Sequence, residues 1–178
     1  MLKYFHLTKS QWLGILKWSL YGLLTLAVLL LQTVVLSQLP VFGVKLAPLP
    51  VLIVCICVWE GPEKGGVYAI LATLFWCLSG ADFGNISLLV IPVGAILSAV
   101  LCRAVLTLRF LPAALCCLGV TLTNASAIFV FKLILPPVVA VSNYWRILLP
   151  GVCLSMLFMP IHYALVKLIG RIGVRDAL

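Results

Sequence analysis

The chain has 178 residues, of which 65% are hydrophobic and only 9% are charged, and its formal net charge is +8. So little polar surface cannot cover a water-soluble globule of this size, and a mean hydropathy of +1.28 is typical of a membrane protein. The 12 Lys and Arg residues flank apolar runs, where they face membrane lipids, so the positive charge does not indicate nucleic-acid binding. We predict a single polytopic, all-α membrane domain.

Residues 1–17 precede the first long apolar run. At helical spacing most of their polar side chains, including Lys3, Lys9 and Lys17, fall on one arc, which predicts a helix lying on the cytoplasmic headgroups. The apolar run at residues 18–39 is too long for the core of a signal peptide and ends without a small-residue cleavage pattern. We therefore predict that it stays in the protein as the first transmembrane helix.

Long uncharged runs continue along the rest of the chain. Bilayer hydrocarbon is about 30 Å thick and needs roughly 20 helical residues to cross. The predicted transmembrane helices are residues 18–39, 46–60, 65–81, 84–102, 110–131 and 147–168. They define a transmembrane domain at residues 18–168, followed by a basic cytoplasmic tail at residues 169–178. The second and third helices are short, and we favour crossing over a re-entrant path for them.

The distribution of the cations supports an even number of crossings. Six helices place both basic ends of the chain on the same side of the membrane, whereas an odd number would separate them. The bias of Lys and Arg towards the cytoplasm then predicts a membrane protein with both termini on the cytoplasmic side. The nine cations on the side of the termini are Lys3, Lys9, Lys17, Lys64, Arg103, Arg109, Lys167, Arg171 and Arg175, and the three on the other side are Lys45, Lys132 and Arg146.

Residues suited to catalysis are sparse. Lipid-forming transferases need several closely spaced carboxylates for divalent metals, whereas this chain has four scattered acids and two histidines. The seven cysteines lie in or at the ends of apolar runs without a CxxC pair, which is typical of small packing residues. We expect no enzymatic activity, no metal and no cofactor.

A few polar residues lie inside the predicted spans. Asn124, with its neighbours Thr123 and Ser126, could line a polar ligand cavity, although hydrogen bonding between helices is the more common use of such residues. Gln32 and Gln38 on the first helix leave the same two alternatives open. We expect Gln32 to be the more deeply buried of the two.

Two features are candidates for partner binding. Gly94, Ala95, Ser98 and Ala99 form a face of small side chains on the fourth helix, and small residues let helices approach closely in lipid. This face either packs inside the chain or docks a foreign helix. Asp82 is the only acid on the predicted external side, where it forms either a structural ion pair or a contact with a partner.

The glycine-rich block at residues 63–80, the segment 83–89 and the small-residue helix after it resemble the rod shape-determining protein MreD family. Residues 148–171 also resemble the last helix and basic tail of that family. Cys77 and Ser155 stand where family members often have Asp and Asn, so no role is transferred to these two positions.

The resemblance implies a non-enzymatic membrane subunit of the bacterial cell-elongation machinery. Such a subunit binds the single-span protein MreC and supports peptidoglycan synthesis by RodA and a class B penicillin-binding protein, alongside cytoplasmic MreB filaments. The family is also similar in architecture to the six-helix S-components of energy-coupling-factor transporters, so a vitamin- or metal-uptake subunit is the alternative. S-components commonly dock through Ala-x-x-x-Ala on the first helix, where this chain has only Ala27. That difference favours the scaffold.

Overall fold

The computed structural model describes residues 9–36, 46–79, 86–104, 110–134 and 144–172. Every regular element in these segments is helical, which confirms the all-α prediction. The elements are α1 (Lys9–Leu30), which continues as a π-helix (Leu31–Leu36), α2 (Leu49–Glu60), α3 (Pro62–Leu78), α4 (Ser87–Ala104), α5 (Phe110–Ile134), α6 (Tyr144–Leu157) and α7 (Met159–Gly170).

Four stretches are long and apolar enough to cross a membrane, as expected of an α-helical membrane protein. They are Gln11–Leu36, Ser87–Ala104, Phe110–Phe131 and Leu149–Gly170. The other two predicted spans form shorter helices, with 12 residues in α2 and 17 in α3. At 1.5 Å per residue, α2 is only about 18 Å long.

Helix α2 is the core of the bundle. Residues 49–58 are buried without exception, and α2 contacts α1, α3, α4, α5 and α7. Its side chains are apolar all the way round, which is the pattern of a helix enclosed by other helices. Protein rather than lipid therefore surrounds this short helix, the condition under which a short segment is tolerated at membrane depth.

Glycines on α3 allow this close packing. A Cβ atom added to Gly65 would lie 2.6 Å from the Cα atom of Cys57 on α2. One added to Gly66 would lie 2.9 Å from a side-chain carbon of Ile96 on α4. Because neither glycine has a side chain, α3 can pack directly against both neighbours.

The helix boundaries differ from the predicted ones in two places. The predicted sixth span is interrupted at Phe158, so that α6 and α7 are separate helices. Pro160 lies in the first turn of α7, and proline cannot donate the backbone hydrogen bond that an unbroken helix requires there. At the other end of the chain, α1 begins at Lys9 and continues without a break past residue 18, while residues 1–8 lie outside the described segments.

Candidate partner-binding surfaces and the Glu60 centre

The small-residue face predicted on α4 is covered by the chain itself. Ala95 and Ala99 are fully buried, and Ser98 is 6% exposed. A Cβ atom added to Gly94 would lie 3.0 Å from the side chain of Val120 on α5. In the isolated chain these four residues pack against neighbouring helices, so a partner would have to displace a helix to reach them. Their role in partner binding stays a prediction, and Asp82 lies outside the described residues.

A different small-residue surface is open on α5. Within the described part of the chain, a Cβ atom added to Gly119 meets no side chain or other helix within 4 Å, and Gly119 and Thr123 are both exposed. The Thr123 hydroxyl donates to the backbone oxygen of Gly119 at 2.7 Å, which satisfies it without water. Exposed Leu115 and Leu122 flank the pair. We call Gly119 and Thr123 the α5 strip.

A buried carboxylate joins three helices at one end of the bundle. The Lys17 ammonium lies 2.7 Å from Oε2 of Glu60, and the Tyr21 hydroxyl donates to Oε1 of Glu60 at 2.7 Å. The Glu60 side chain is only 7% exposed. Tyr21 also lies 3.4 Å from the backbone oxygen of Val166 on α7. We call Lys17, Tyr21 and Glu60 the Glu60 centre; it connects α1, α2 and α7.

A layer of hydroxyl groups and aromatic rings extends this centre to α3. The Tyr68 hydroxyl donates to the backbone oxygen of Tyr21 at 2.9 Å and is hydrogen-bonded to the hydroxyl of Thr25. The Trp18 ring centroid lies 5.7 Å from that of Tyr21 and 5.8 Å from that of Tyr68. These contacts attach the first half of α1 to the bundle.

The Glu60 centre is not apparent from the sequence. Lys17 and Glu60 are 43 residues apart, and nothing in either local pattern indicates a pair. The one signal in the sequence is that Lys17 directly precedes an apolar run and Glu60 directly follows another, both at the same predicted side of the membrane. A carboxylate paired with a lysine and a tyrosine hydroxyl is suited to holding helices together rather than to proton transfer.

Two pairs of buried thiols lie inside helix contacts, whereas Cys153 is exposed. The sulfur atoms of Cys55 and Cys117 are 3.7 Å apart between α2 and α5, and those of Cys102 and Cys116 are 3.5 Å apart between α4 and α5. Among the described residues, no three His, Cys, Asp or Glu side chains are grouped so that they could hold a metal ion.

The opposite end of α2 has polar partners of its own. Gln32 Oε1 accepts a hydrogen bond from Leu49 N at 3.3 Å, and the Ser155 hydroxyl accepts one from Ala47 N at 3.3 Å. Gln32 is 4% exposed. Because Gln38 lies outside the described residues, its predicted lesser burial stays a prediction. Gln32 Nε2 and Asn124 Oδ1 are buried and have no hydrogen-bond partner among the described residues.

The three polar residues on α5 that were candidates for lining a cavity differ in burial. Asn124 is buried, Ser126 is partly exposed and Thr123 faces outward. Of these three residues, only Asn124 could therefore contribute to a polar cavity inside the bundle.

Comparison with known proteins gave no match: no protein-family model, curated protein or solved structure matched this chain.

Proposed function

We propose that the chain is a non-enzymatic membrane scaffold of the bacterial elongation machinery. It binds an MreC-like single-span protein and supports peptidoglycan synthesis by RodA and a class B penicillin-binding protein, with MreB filaments as an indirect partner. The resemblance of residues 63–89 and 148–171 to the MreD family suggests this role. The structural observation that supports it is the open α5 strip.

The α5 strip stands apart from the glycines that pack within the bundle. Gly65, Gly66 and Gly94 each lie against a neighbouring helix, where an added Cβ atom would meet another residue within about 3 Å. Gly119 has the same small size but no neighbour. In lipid, helices associate by close packing at small residues, because no hydrophobic force drives them together. A partner's transmembrane helix packed along α5 would use this surface.

The proposal includes six crossings with both termini in the cytoplasm. Helices α2 and α3 add two short crossings to the four long stretches. Five cations lie at the Glu60 end of the bundle, either in its contacts or next to a residue that makes them. They are Lys17, Lys64, Arg103, Lys167 and Arg171. The positive-inside bias then makes the Glu60 end cytoplasmic.

Co-purification tests the scaffold and its docking surface together. Affinity-tagged chain is extracted with MreC from membranes, and the ratio of the two proteins is measured for wild type, Gly119→Leu and Thr123→Leu. Gly22→Leu is the matched control, since it makes the same change at an exposed glycine on α1 where an added Cβ atom also meets nothing within 4 Å among the described residues. We expect loss of MreC from the two α5 variants and retention in the control. Depletion of the chain should round rod-shaped cells. Failure of the wild-type chain to retain MreC would refute the proposal.

A ligand-binding subunit of a vitamin or metal transporter is the second candidate. The observation that favours it is the pair of unpartnered buried atoms, Gln32 Nε2 and Asn124 Oδ1, since such atoms are costly in a dry interior. Equilibrium dialysis of the purified chain against water-soluble vitamins and divalent metals tests it. Tight binding in a chain that does not retain MreC would replace the scaffold with this function.

A further inference from the structure

An arginine from α4 lies against the turn between α2 and α3. Gly61 connects the two helices with a φ of 100°, in the region that favours glycine. The Arg103 guanidinium, from the last turn of α4, lies against Gly61 so closely that a Cβ atom there would overlap it. Its Nη2 atom donates to the backbone oxygen of Trp59 at 3.4 Å. Arg103 is exposed, so most of its donors remain available at the surface.

The end of α7 also packs beside this turn. A Cβ atom added to Gly170 would overlap the Trp59 indole, so the last turn of α7 packs directly on that ring. Arg171 follows immediately and is exposed. Lys64 lies one helical turn beyond Gly61 on α3, and it is exposed as well. Three helices thus each contribute one exposed cation around the Trp59–Gly61 turn. We call Lys64, Arg103 and Arg171 the basic cluster.

Little negative charge in the described segments opposes the basic cluster. Glu60 is already paired with Lys17 and is nearly buried. Glu63, next to Lys64, is exposed and is the only other acid among the described residues. Within the described part of the chain, none of the three cations forms an ion pair with an acid. The cluster therefore has a net positive charge that an anion would neutralise.

Aromatic side chains place the cluster at headgroup depth. The ring centroids of Trp59 and Tyr163 are 6.3 Å apart, and those of Phe110 and Tyr163 are 5.4 Å apart, both pairs edge to face. Trp and Tyr are enriched where hydrocarbon meets headgroups. Along its own helix each cation adjoins an exposed apolar residue, which matches the two parts of a phospholipid: Val67 follows Lys64, Val100 precedes Arg103 and Leu168 precedes Arg171.

We propose that Lys64, Arg103 and Arg171 bind the phosphate groups of an anionic phospholipid in the leaflet at the Glu60 end, with cardiolipin preferred. Guanidinium groups donate two parallel hydrogen bonds to phosphate oxygens. Basic pockets between transmembrane helices on the cytoplasmic side are typical cardiolipin sites. Cations on three different helices can engage the two phosphates of cardiolipin together, whereas phosphatidylglycerol supplies only one. This site does not depend on the scaffold function.

Native mass spectrometry of the full chain in detergent tests the proposal by titration with cardiolipin, phosphatidylglycerol and phosphatidylethanolamine. A cation at a membrane surface contributes about 1 kcal/mol, which corresponds to about a fivefold change in affinity. We therefore expect Arg103→Gln, Arg171→Gln and Lys64→Gln each to weaken cardiolipin binding about fivefold. The triple variant should lose about a hundredfold.

The controls distinguish a specific lipid-binding site from general electrostatic attraction between a cationic protein and anionic lipid. Lys132→Gln removes the same charge from the opposite predicted side and should leave cardiolipin binding unchanged, and Glu63→Gln should strengthen it. Inorganic phosphate should not displace the lipid. Equal losses in Lys132→Gln and the cluster variants would overturn the proposal, as would equal affinity for cardiolipin and phosphatidylethanolamine. If Arg103→Gln does not fold, the Lys64 and Arg171 variants, whose side chains are exposed, give the same decision.

Discussion

Replacing Gly65 with alanine should separate α3 from α2. The new Cβ atom would lie 2.6 Å from the Cα atom of Cys57 and 2.9 Å from its backbone oxygen, whereas ordinary contacts begin at about 3.4 Å. Both obstructing atoms belong to the backbone, so no side-chain rotation relieves the overlap. The helices must move apart by most of an ångström, and they must do so at α2, which is buried throughout.

The expected cost is that of overpacking a tight interior, about 1–3 kcal/mol. Gly119→Ala is the matched control, since it makes the same chemical change at a helical glycine with no neighbour within 4 Å. There the higher helix propensity of alanine should leave stability unchanged or raise it by up to about 1 kcal/mol. The two variants should therefore differ by about 1–4 kcal/mol.

Both variants are measured by reversible unfolding in mixed micelles, with circular dichroism at increasing fractions of denaturing detergent. We expect Gly65→Ala to unfold at a lower fraction than wild type, and Gly119→Ala at the same fraction or a higher one. Equal unfolding free energies for the two variants would refute the packing of α3 on α2 described above.

Three further predictions use the same unfolding assay. Lys17→Ala should lower the unfolding free energy by about 2–3 kcal/mol, because it leaves the nearly buried Glu60 carboxylate without its cation. As the control, Glu63→Gln at an exposed acid should change it by less than about 0.5 kcal/mol. Similar values for the two variants would contradict the Glu60 centre. Tyr21→Phe should cost about 1–2 kcal/mol through its lost hydrogen bond to Glu60, and a neutral result would show that this bond does not stabilise the fold. Gly170→Ala should cost about 1–3 kcal/mol and change tryptophan fluorescence, because the methyl group would displace the Trp59 indole; an unchanged spectrum would argue against that contact.

The apolar runs predicted the existence of the helices well, because hydrocarbon thickness and the cost of unpaired backbone groups leave few alternatives. The predicted span 110–131 corresponds to α5, Phe110–Ile134. The interruption at Phe158 was not predictable in the same way. Helix α4 continues through Pro92, whereas the last span is broken just before Pro160. Whether a proline only bends a helix or ends it depends on packing that a single sequence does not contain.

The candidate surfaces were harder to predict for a related reason. In a chain that is apolar nearly everywhere, periodicity does not indicate which face of a helix is buried. Gly94 and Gly119 look alike in the sequence, yet Val120 covers the first and the second has no neighbour. The pair of Lys17 and Glu60 likewise depends on α1 and α2 meeting in space, which neither segment specifies alone.

Photocrosslinking in growing cells tests the proposed docking surface most directly. A photoreactive amino acid is placed at Leu115 or Leu122 beside the α5 strip, or at Val93 on α4, three exposed positions. We predict a covalent adduct with the single-span MreC from both α5 positions and none from Val93. An adduct from Val93 alone, or none from any position in cells that keep their rod shape, would contradict the account.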